Sequence, residues 1–277
     1  MSVASLSTRV AAPVMEVFAS IQGEGAYVGE PQVLVRLRGC PLRCRWCDTP
    51  GSWELGEGAQ ARVAAPSGVQ RESSWATPFQ VACWIAAVEP GGARTVSVTG
   101  GEPLMWPEFV LGLRGVIGAR RLHLETGGGH PAALERVLGA CDHVSLDLKL
   151  PADLRAPVPL HTPADAAEGA ARDFETSPHT ASEWRAARAR DLALVRGRDA
   201  CGKLIVSGDR SAQQFEEIVL DVARLAPELP LIVQPVTALH GVPGPSVELL
   251  VEVVEMARGE GLSARIVPQV HRLLGVP

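Results

Sequence analysis

Short apolar runs alternate along the chain with stretches of helical periodicity. Seven runs read as strands: Gln32–Leu37, Thr95–Thr99, Arg121–Glu125, His143–Leu148, Lys203–Ser207, Leu231–Gln234 and Ala264–Val267. Most are continuous rather than alternating, as expected of strands covered on both faces. Between them, Pro78–Glu89 carries Val81, Trp84, Ile85 and Val88 at helical spacing. Pro131–Ala140 opens on a proline suited to a first turn, and Ser211–Leu225 starts with a serine cap and a glutamine three residues on. Ser246–Arg258 sets Leu249, Leu250, Val253 and Val254 on one stripe before Gly259, and a short helix is read over Ser182–Val195. Strand–helix alternation of this kind predicts βα units with right-handed crossovers. The fold expected is a partial, open α/β barrel of about six parallel strands in one domain spanning residues 1–277.

Two stretches break the rhythm. Gly51–Thr77 is rich in Gly, Ala and Ser, and Pro151–Ala181 in Ala, Pro and Asp. Both read as loops or insertions in the domain, with mobile tips. Hydrophobic residues make up 46% and charged residues 21% of the 277, which excludes wholesale disorder. A net charge of −5 argues against bulk electrostatic binding of nucleic acid. No apolar run is long enough to span a bilayer. Met1–Val14 shows no apolar signal region, so a cytoplasmic location is expected.

Six cysteines in such a chain are not expected to pair as disulfides. Cys83, Cys141 and Cys201 stand singly beside apolar segments and read as core residues. Cys40, Cys44 and Cys47 fall within eight residues, directly after a strand end. Thiolates so spaced can fold a loop around one soft metal centre. A closed zinc site needs a fourth ligand, and no second close cysteine pair supplies it. Three thiolates on a four-iron cluster leave one iron open for a substrate or cofactor.

The Cys-x3-Cys-x2-Cys spacing resembles that of the radical S-adenosylmethionine superfamily. Thr99–Gly100–Gly101–Glu102–Pro103 resembles its Gly-Gly-Glu-Pro element. The resemblance implies a 4Fe–4S cluster on Cys40, Cys44 and Cys47. Its open iron chelates S-adenosylmethionine and, when reduced, cleaves it to a 5′-deoxyadenosyl radical. Further cofactor contacts are implied at Trp46, Asp48, Gly100, Gly101, Glu102, Asp147, Leu148 and Lys149. Gln234, Pro235, Val236 and Thr237, closing the sixth strand, join them by position.

Three segments narrow the resemblance. Ile21–Gln22–Gly23–Glu24–Gly25 precedes the first expected strand, Cys47–Asp48–Thr49 closes the cysteine motif, and the chain finishes Pro268 to Pro277. Together they resemble the 7-carboxy-7-deazaguanine synthases of queuosine and deazapurine biosynthesis, in order from about Glu16 onward. The resemblance implies a carbon–nitrogen lyase that converts 6-carboxy-5,6,7,8-tetrahydropterin to 7-carboxy-7-deazaguanine with loss of ammonia, using Mg2+. It implies Thr49 as the Mg2+ ligand. It implies substrate contacts at Ile21, Gln22, Gly23, Glu24, Arg36, Thr99, Glu125 and His271, and at the α-carboxylate of Pro277. A homodimer and an electron donor such as a flavodoxin or ferredoxin are also implied. Asp147–Leu148–Lys149 stands where these synthases more often carry Ser-Pro-Lys. Asp-Leu-Lys also occurs in glycyl-radical-enzyme activases, which form the alternative reading. A zinc-binding scaffold is the reading from outside enzymology.

Overall fold

The computed structural model describes residues 10–92, 94–164, 166–168, 170–171 and 174–277. The first nine residues of the expected leaderless segment Met1–Val14 lie outside them. The strands among the described residues, in chain order, are β1 Ala12–Ile21, β2 Pro31–Leu37, β3 Arg43–Cys44, β4 Gln60–Ala65, β5 Gly68–Ser73, β6 Trp75–Ala76, β7 Thr95–Gly100, β8 Leu122–Thr126, β9 His143–Leu148, β10 Leu154–Arg155, β11 Ala200–Val206, β12 Leu231–Pro235 and β13 Ala264–Ile266.

Strands β2, β7, β8, β9, β11, β12 and β13 lie side by side in that order, and every neighbouring pair is parallel. They correspond to the seven apolar runs, so the parallel set is seven strands rather than about six. Helices α1 Pro78–Val88, α2 Pro107–Arg114, α3 Pro131–Val137, α4 Ala181–Val195, α5 Glu216–Leu225 and α6 Val247–Gly259 fall one by one between them, and α7 Val270–Leu274 follows β13. Winding in a single direction with a helix after each strand generates an open α/β barrel.

The core forms where these helices meet the sheet. Val33, Val35, Val96, Val98, Leu122, Leu124, Val144 and Leu146 are buried there with Val81, Ile85, Phe109, Leu134 and Leu192 from the helices. Each such side chain contributes roughly 1.5–3 kcal/mol of burial. Local signals set the helix starts. Thr77 caps α1 by accepting from the Gln80 N–H while Gln80 accepts from the Thr77 N–H, and Thr180 and Glu183 do the same for α4. Ser246 caps α6 by accepting from the Leu249 N–H.

Three features depart from the sequence reading. The first strand of the chain is β1, antiparallel to β2 and bulged between Val14 and Glu16. Its charged Glu16 and polar Ser20 break the apolar run that would have announced it. Gly51–Thr77 is largely ordered sheet: β4 pairs parallel with β1, and β5 turns back antiparallel on β4. Ala61 and Val63 face the core in alternation with polar neighbours, a short two-residue period hidden in small residues. Cys83 is exposed on α1 rather than in the core, while Cys201 is fully buried.

Candidate active site

The C-terminal ends of the parallel strands open on one cavity, the usual ligand edge of such sheets. Its walls come from the loop after β2, the ends of β7, β8, β9 and β12, the turn after β1, and the last residues of the chain.

Two glycines make the β7 end compatible with the cysteine loop. A Cβ on Gly101 would stand 2.5 Å from the Gly39 carbonyl oxygen, and one on Gly100 would stand 2.4 Å from the backbone of Leu37. With hydrogens only, the Gly101 N–H donates to Leu37 O and the Glu102 N–H to Gly39 O. The loop carrying Cys40, Cys44 and Cys47 is thereby tied to the second βα turn. All three thiols are free and line the cavity. Burial pushes each thiol up, that of Cys44 to about 12. A cation bound by the sulfurs would favour their thiolate form, as metal ligation requires. Three unpaired thiols facing one cavity are a donor set suited to a cluster with one open iron.

Glu102 is fully buried. Its carboxylate accepts from the Leu104 N–H, the Thr126 hydroxyl and the Gly127 N–H at 3.0, 2.8 and 2.7 Å. Burial outweighs these bonds and raises its pKa to about 7. It clasps the β7 and β8 ends together. Behind them, buried Asp191 on α4 accepts from the Gly129 N–H through one oxygen at 3.1 Å. Burial, opposed by that bond and reinforced by the charges of Glu102 and Glu175, raises its pKa to about 7. A carboxyl with a raised folded pKa contributes stability that is complete below its unfolded pKa and lost as pH rises through the folded value. Wild-type protein is expected to lose on the order of 1 kcal/mol from Asp191 between pH 6 and 8. Asp191→Asn should lack that part of the loss. Denaturant unfolding at the two pH values checks it, and equal slopes for both proteins would rule it out.

The cavity floor is a line of alternating charge. Lys149 Nζ lies 2.6 Å from Asp147 Oδ2, and Lys203 Nζ lies 2.8 Å from Asp147 Oδ1 and 2.9 Å from Glu24 Oε2. The Lys149 and Lys203 side chains are only 3% and 6% exposed, so these are buried pairs and not surface ones. Burial opposes the charge on Lys203, but Asp147 and Glu24 outweigh it and hold the ammonium well above its usual range. Burial likewise opposes ionisation of Asp147 and Glu24, and the lysines prevail, with Gln269 also donating to Glu24.

Toward the other wall, Gln22 donates to Glu125 Oε1 at 2.7 Å and Thr99 donates to Glu125 Oε2 at 3.1 Å. Arg36 donates to Glu16 at 2.9 Å, with a second nitrogen 3.4 Å from Thr49 Oγ1. The Thr49 hydroxyl in turn donates to Asp48 Oδ1 at 2.8 Å. Burial works against the Asp48 charge, but Thr49, Arg272 and Arg36 lower its pKa. Glu24, Asp48 and His271 each bring a ligand atom within 4.8 Å of one another beside this threonine.

The chain's last segment closes the rim. A Cβ on Gly23 would overlap the His271 ring at 1.8 Å, so glycine admits that imidazole. The Val270 N–H donates to Gly23 O at 2.9 Å, and the Ser20 hydroxyl donates to Pro277 O at 2.6 Å.

The cavity therefore brings together Ile21, Gln22, Gly23, Glu24, Arg36, Cys40, Cys44, Trp46, Cys47, Asp48, Thr49, Thr99, Gly100, Gly101, Glu102, Glu125, Asp147, Lys149, Gln234 to Thr237, His271 and Pro277. Leu148 stands apart. It is the last residue of β9, between Asp147 and Lys149, and its side chain is buried in the core near Gly202. Sequence reasoning missed Lys203, Gln269 and Arg272, which also line the cavity. A lysine flanked by Gly202 and Leu204 in an apolar strand was a legible signal, since buried lysine requires a partner.

The sequence profile of the radical SAM superfamily matches residues 34–172. Over 270 residues the chain is 30% identical to the 7-carboxy-7-deazaguanine synthase of Methanothermobacter thermautotrophicus, covering 96% of this chain and 98% of that one. The synthase of the same name from Geobacter sulfurreducens is 30% identical over 274 residues, 95% and 97% of the two chains. Among solved structures, QueE from Escherichia coli shares the fold with a TM-score of 0.58 at 19% identity, over 98% of this chain and 99% of that one. With such identity maintained through nearly the whole of both curated chains, the chain belongs to the 7-carboxy-7-deazaguanine synthase family of the radical SAM superfamily.

Proposed function

We propose that this protein converts 6-carboxy-5,6,7,8-tetrahydropterin to 7-carboxy-7-deazaguanine with loss of ammonia. The observation that carries the reading is the convergence of three free thiols and a wall of polar pterin-matching groups on one cavity. Activases act on a protein glycine and have no use for such a wall, so that alternative is not favoured. Cys40, Cys44 and Cys47 would hold a 4Fe–4S cluster, which with bound S-adenosylmethionine would supply the means of hydrogen-atom abstraction.

The chain's residues do the rest. Trp46, Asp48, Gly100 to Glu102, Asp147, Lys149 and Gln234 to Thr237 surround S-adenosylmethionine, with Leu148 contributing backbone only. Gln22, Glu24 and Glu125 present acceptors and an amide to the edge of a flat heterocycle, and Thr99 fixes Glu125 from behind. Ile21, Gly23 and His271 form the turn against which the ring lies. Arg36 pairs with the substrate carboxylate, for which a guanidinium has the right fork. The Thr49 hydroxyl, already 2.8 Å from a carboxylate oxygen, holds Mg2+ among hard oxygen donors. The Pro277 carboxylate closes the substrate side. The protein works as a cytoplasmic homodimer, reduced by a flavodoxin or ferredoxin. No helix among the described residues is long and apolar enough to cross a membrane.

The test is anaerobic reconstitution of untagged protein with iron and sulfide. Reductant, S-adenosylmethionine, Mg2+ and the pterin are then added. Mass spectrometry should find 7-carboxy-7-deazaguanine. Formation of 5′-deoxyadenosine without that product would keep the superfamily chemistry and discard the substrate.

A further inference from the structure

Barrel interiors of this class are commonly filled by branched apolar side chains. Below the cavity, this one is polar. Ser97, His123, His143 and Ser145 are each at most 2% exposed, on three adjacent strands with Ser97 beside His123 and His123 beside His143 in register. They touch in sequence. From the cavity inward, Glu125 Oε1 lies 3.0 Å from Ser97 Oγ, which lies 3.3 Å from His123 Nδ1. His123 Nε2 lies 2.8 Å from Ser145 Oγ, which lies 3.4 Å from His143 Nε2. His143 Nδ1 lies 2.8 Å from Asp199 Oδ1, whose side chain is 45% exposed at the opposite end of the barrel. There Tyr27 and Arg121 each donate to Asp199 at 2.7 Å. Every buried member can both accept and donate a proton.

We propose that this row is a proton wire joining Glu125 in the substrate cavity to solvent at Asp199. The inference rests on the pterin reading of the cavity. Conversion of a pterin carboxylate to a deazaguanine carboxylate plus ammonium takes up one proton from solvent. That proton bonds to Asp199 Oδ1 and moves to His143 Nδ1, while the Nε2 proton of His143 passes to Ser145. The Ser145 proton passes to His123 Nε2, the Nδ1 proton of His123 to Ser97, and the Ser97 proton to Glu125 Oε1. Glu125 gives it to the departing nitrogen. Each O–H or N–H bond that breaks is replaced by the next that forms, and no electron moves.

Both imidazoles begin and end neutral, differing only in tautomer. Burial, together with the charges of Lys203 and Arg121, disfavours a cation on His123; burial does so on His143, against the pull of Asp199. Gln22 and Gln32 flank His123 Nδ1, and the Cys201 thiol lies 3.5 Å from Ser145 Oγ. These side contacts fix the row laterally. The relay members act through Glu125 and are positioning residues.

The experiment compares wild type, Ser145→Ala and the surface variant Asp199→Asn in product formation, in H2O and D2O. Both variants are expected to lose about tenfold in kcat with KM for the pterin unchanged. Their solvent isotope effect on kcat should rise, and added formate or imidazole should restore Asp199→Asn. Retained kcat, or a loss with an unchanged isotope effect and no rescue, overturns the wire. A second readout needs no turnover. Exchange of the His123 ring N–H with D2O, followed in 15N-histidine spectra of the folded holoprotein, should slow at least tenfold in Ser97→Ala/Ser145→Ala; unchanged exchange overturns the wire. Absence of product from wild type, with exchange slowed in the double variant, would defeat the functional reading and leave the wire standing.

Discussion

Cys44→Ala is expected to abolish product formation and to leave reconstituted protein without most of its iron. Cys44 sits in β3, pinned against β10 by pairing of Cys44 with Leu154, so its sulfur is delivered by sheet rather than by a free loop. Two remaining thiols cannot complete a three-point attachment, and burial resists their ionisation without the cluster's charge. Iron analysis, sulfide analysis and product assay are read together. The matching control is Cys83→Ala on the exposed face of α1, which should keep both iron and activity. Full iron content in Cys44→Ala would remove the cluster assignment.

The second large effect concerns Lys203. Replacing it with methionine keeps the stem and deletes the charge that pairs with both Asp147 and Glu24. Asp147 retains Lys149, but Glu24 keeps only the amide of Gln269. Breaking a buried pair by removing one partner costs about 3–5 kcal/mol, because the other charge is left uncompensated. Lys203→Met is therefore expected to unfold that much more easily at neutral pH. The deficit should shrink in acid, where the orphaned carboxylates take up protons. Adding Glu24→Gln should recover part of it. A single variant within 1 kcal/mol of wild type at neutral pH would show that solvent reaches these groups freely.

The parallel barrel was legible because its strands are buried on both faces and most carry short continuous apolar runs, as Leu204 to Val206 and Leu231 to Val233 do. β1 and the β4–β5 hairpin were not, for the opposite reason. β1 is an interior strand between β2 and β4 whose apolar run is broken by Glu16, and the hairpin forms the sheet's far edge, where β5 is exposed along its whole length. An edge strand needs no apolar run, and its partner was itself unseen. Helix α2 escaped because eight residues opening on Pro107 give little more than two turns of periodicity. In the site, motif residues were legible wherever the backbone itself is constrained, as at Gly100 and Gly101. Lys203 is marked by its apolar strand, but its partners, like those of Gln269 and the histidine row, lie more than a hundred positions away or on other strands. Asp199 is 56 residues from the imidazole it holds. Spacing along the chain carries no trace of such pairs.

The closure at the cavity rim has a mechanical consequence. α7 buries none of its five residues, and the segment beyond it is moored to β1 by the Ser20–Pro277 bond. The parallel strands, by contrast, are held by whole ladders of bonds loaded side by side. Tension applied at Pro277 would peel off this short flap at low force, one bond after another, before any barrel strand yields. In a single-molecule pulling trace the flap should appear as a small first extension that reverses when the force is relaxed, with the barrel giving way only later.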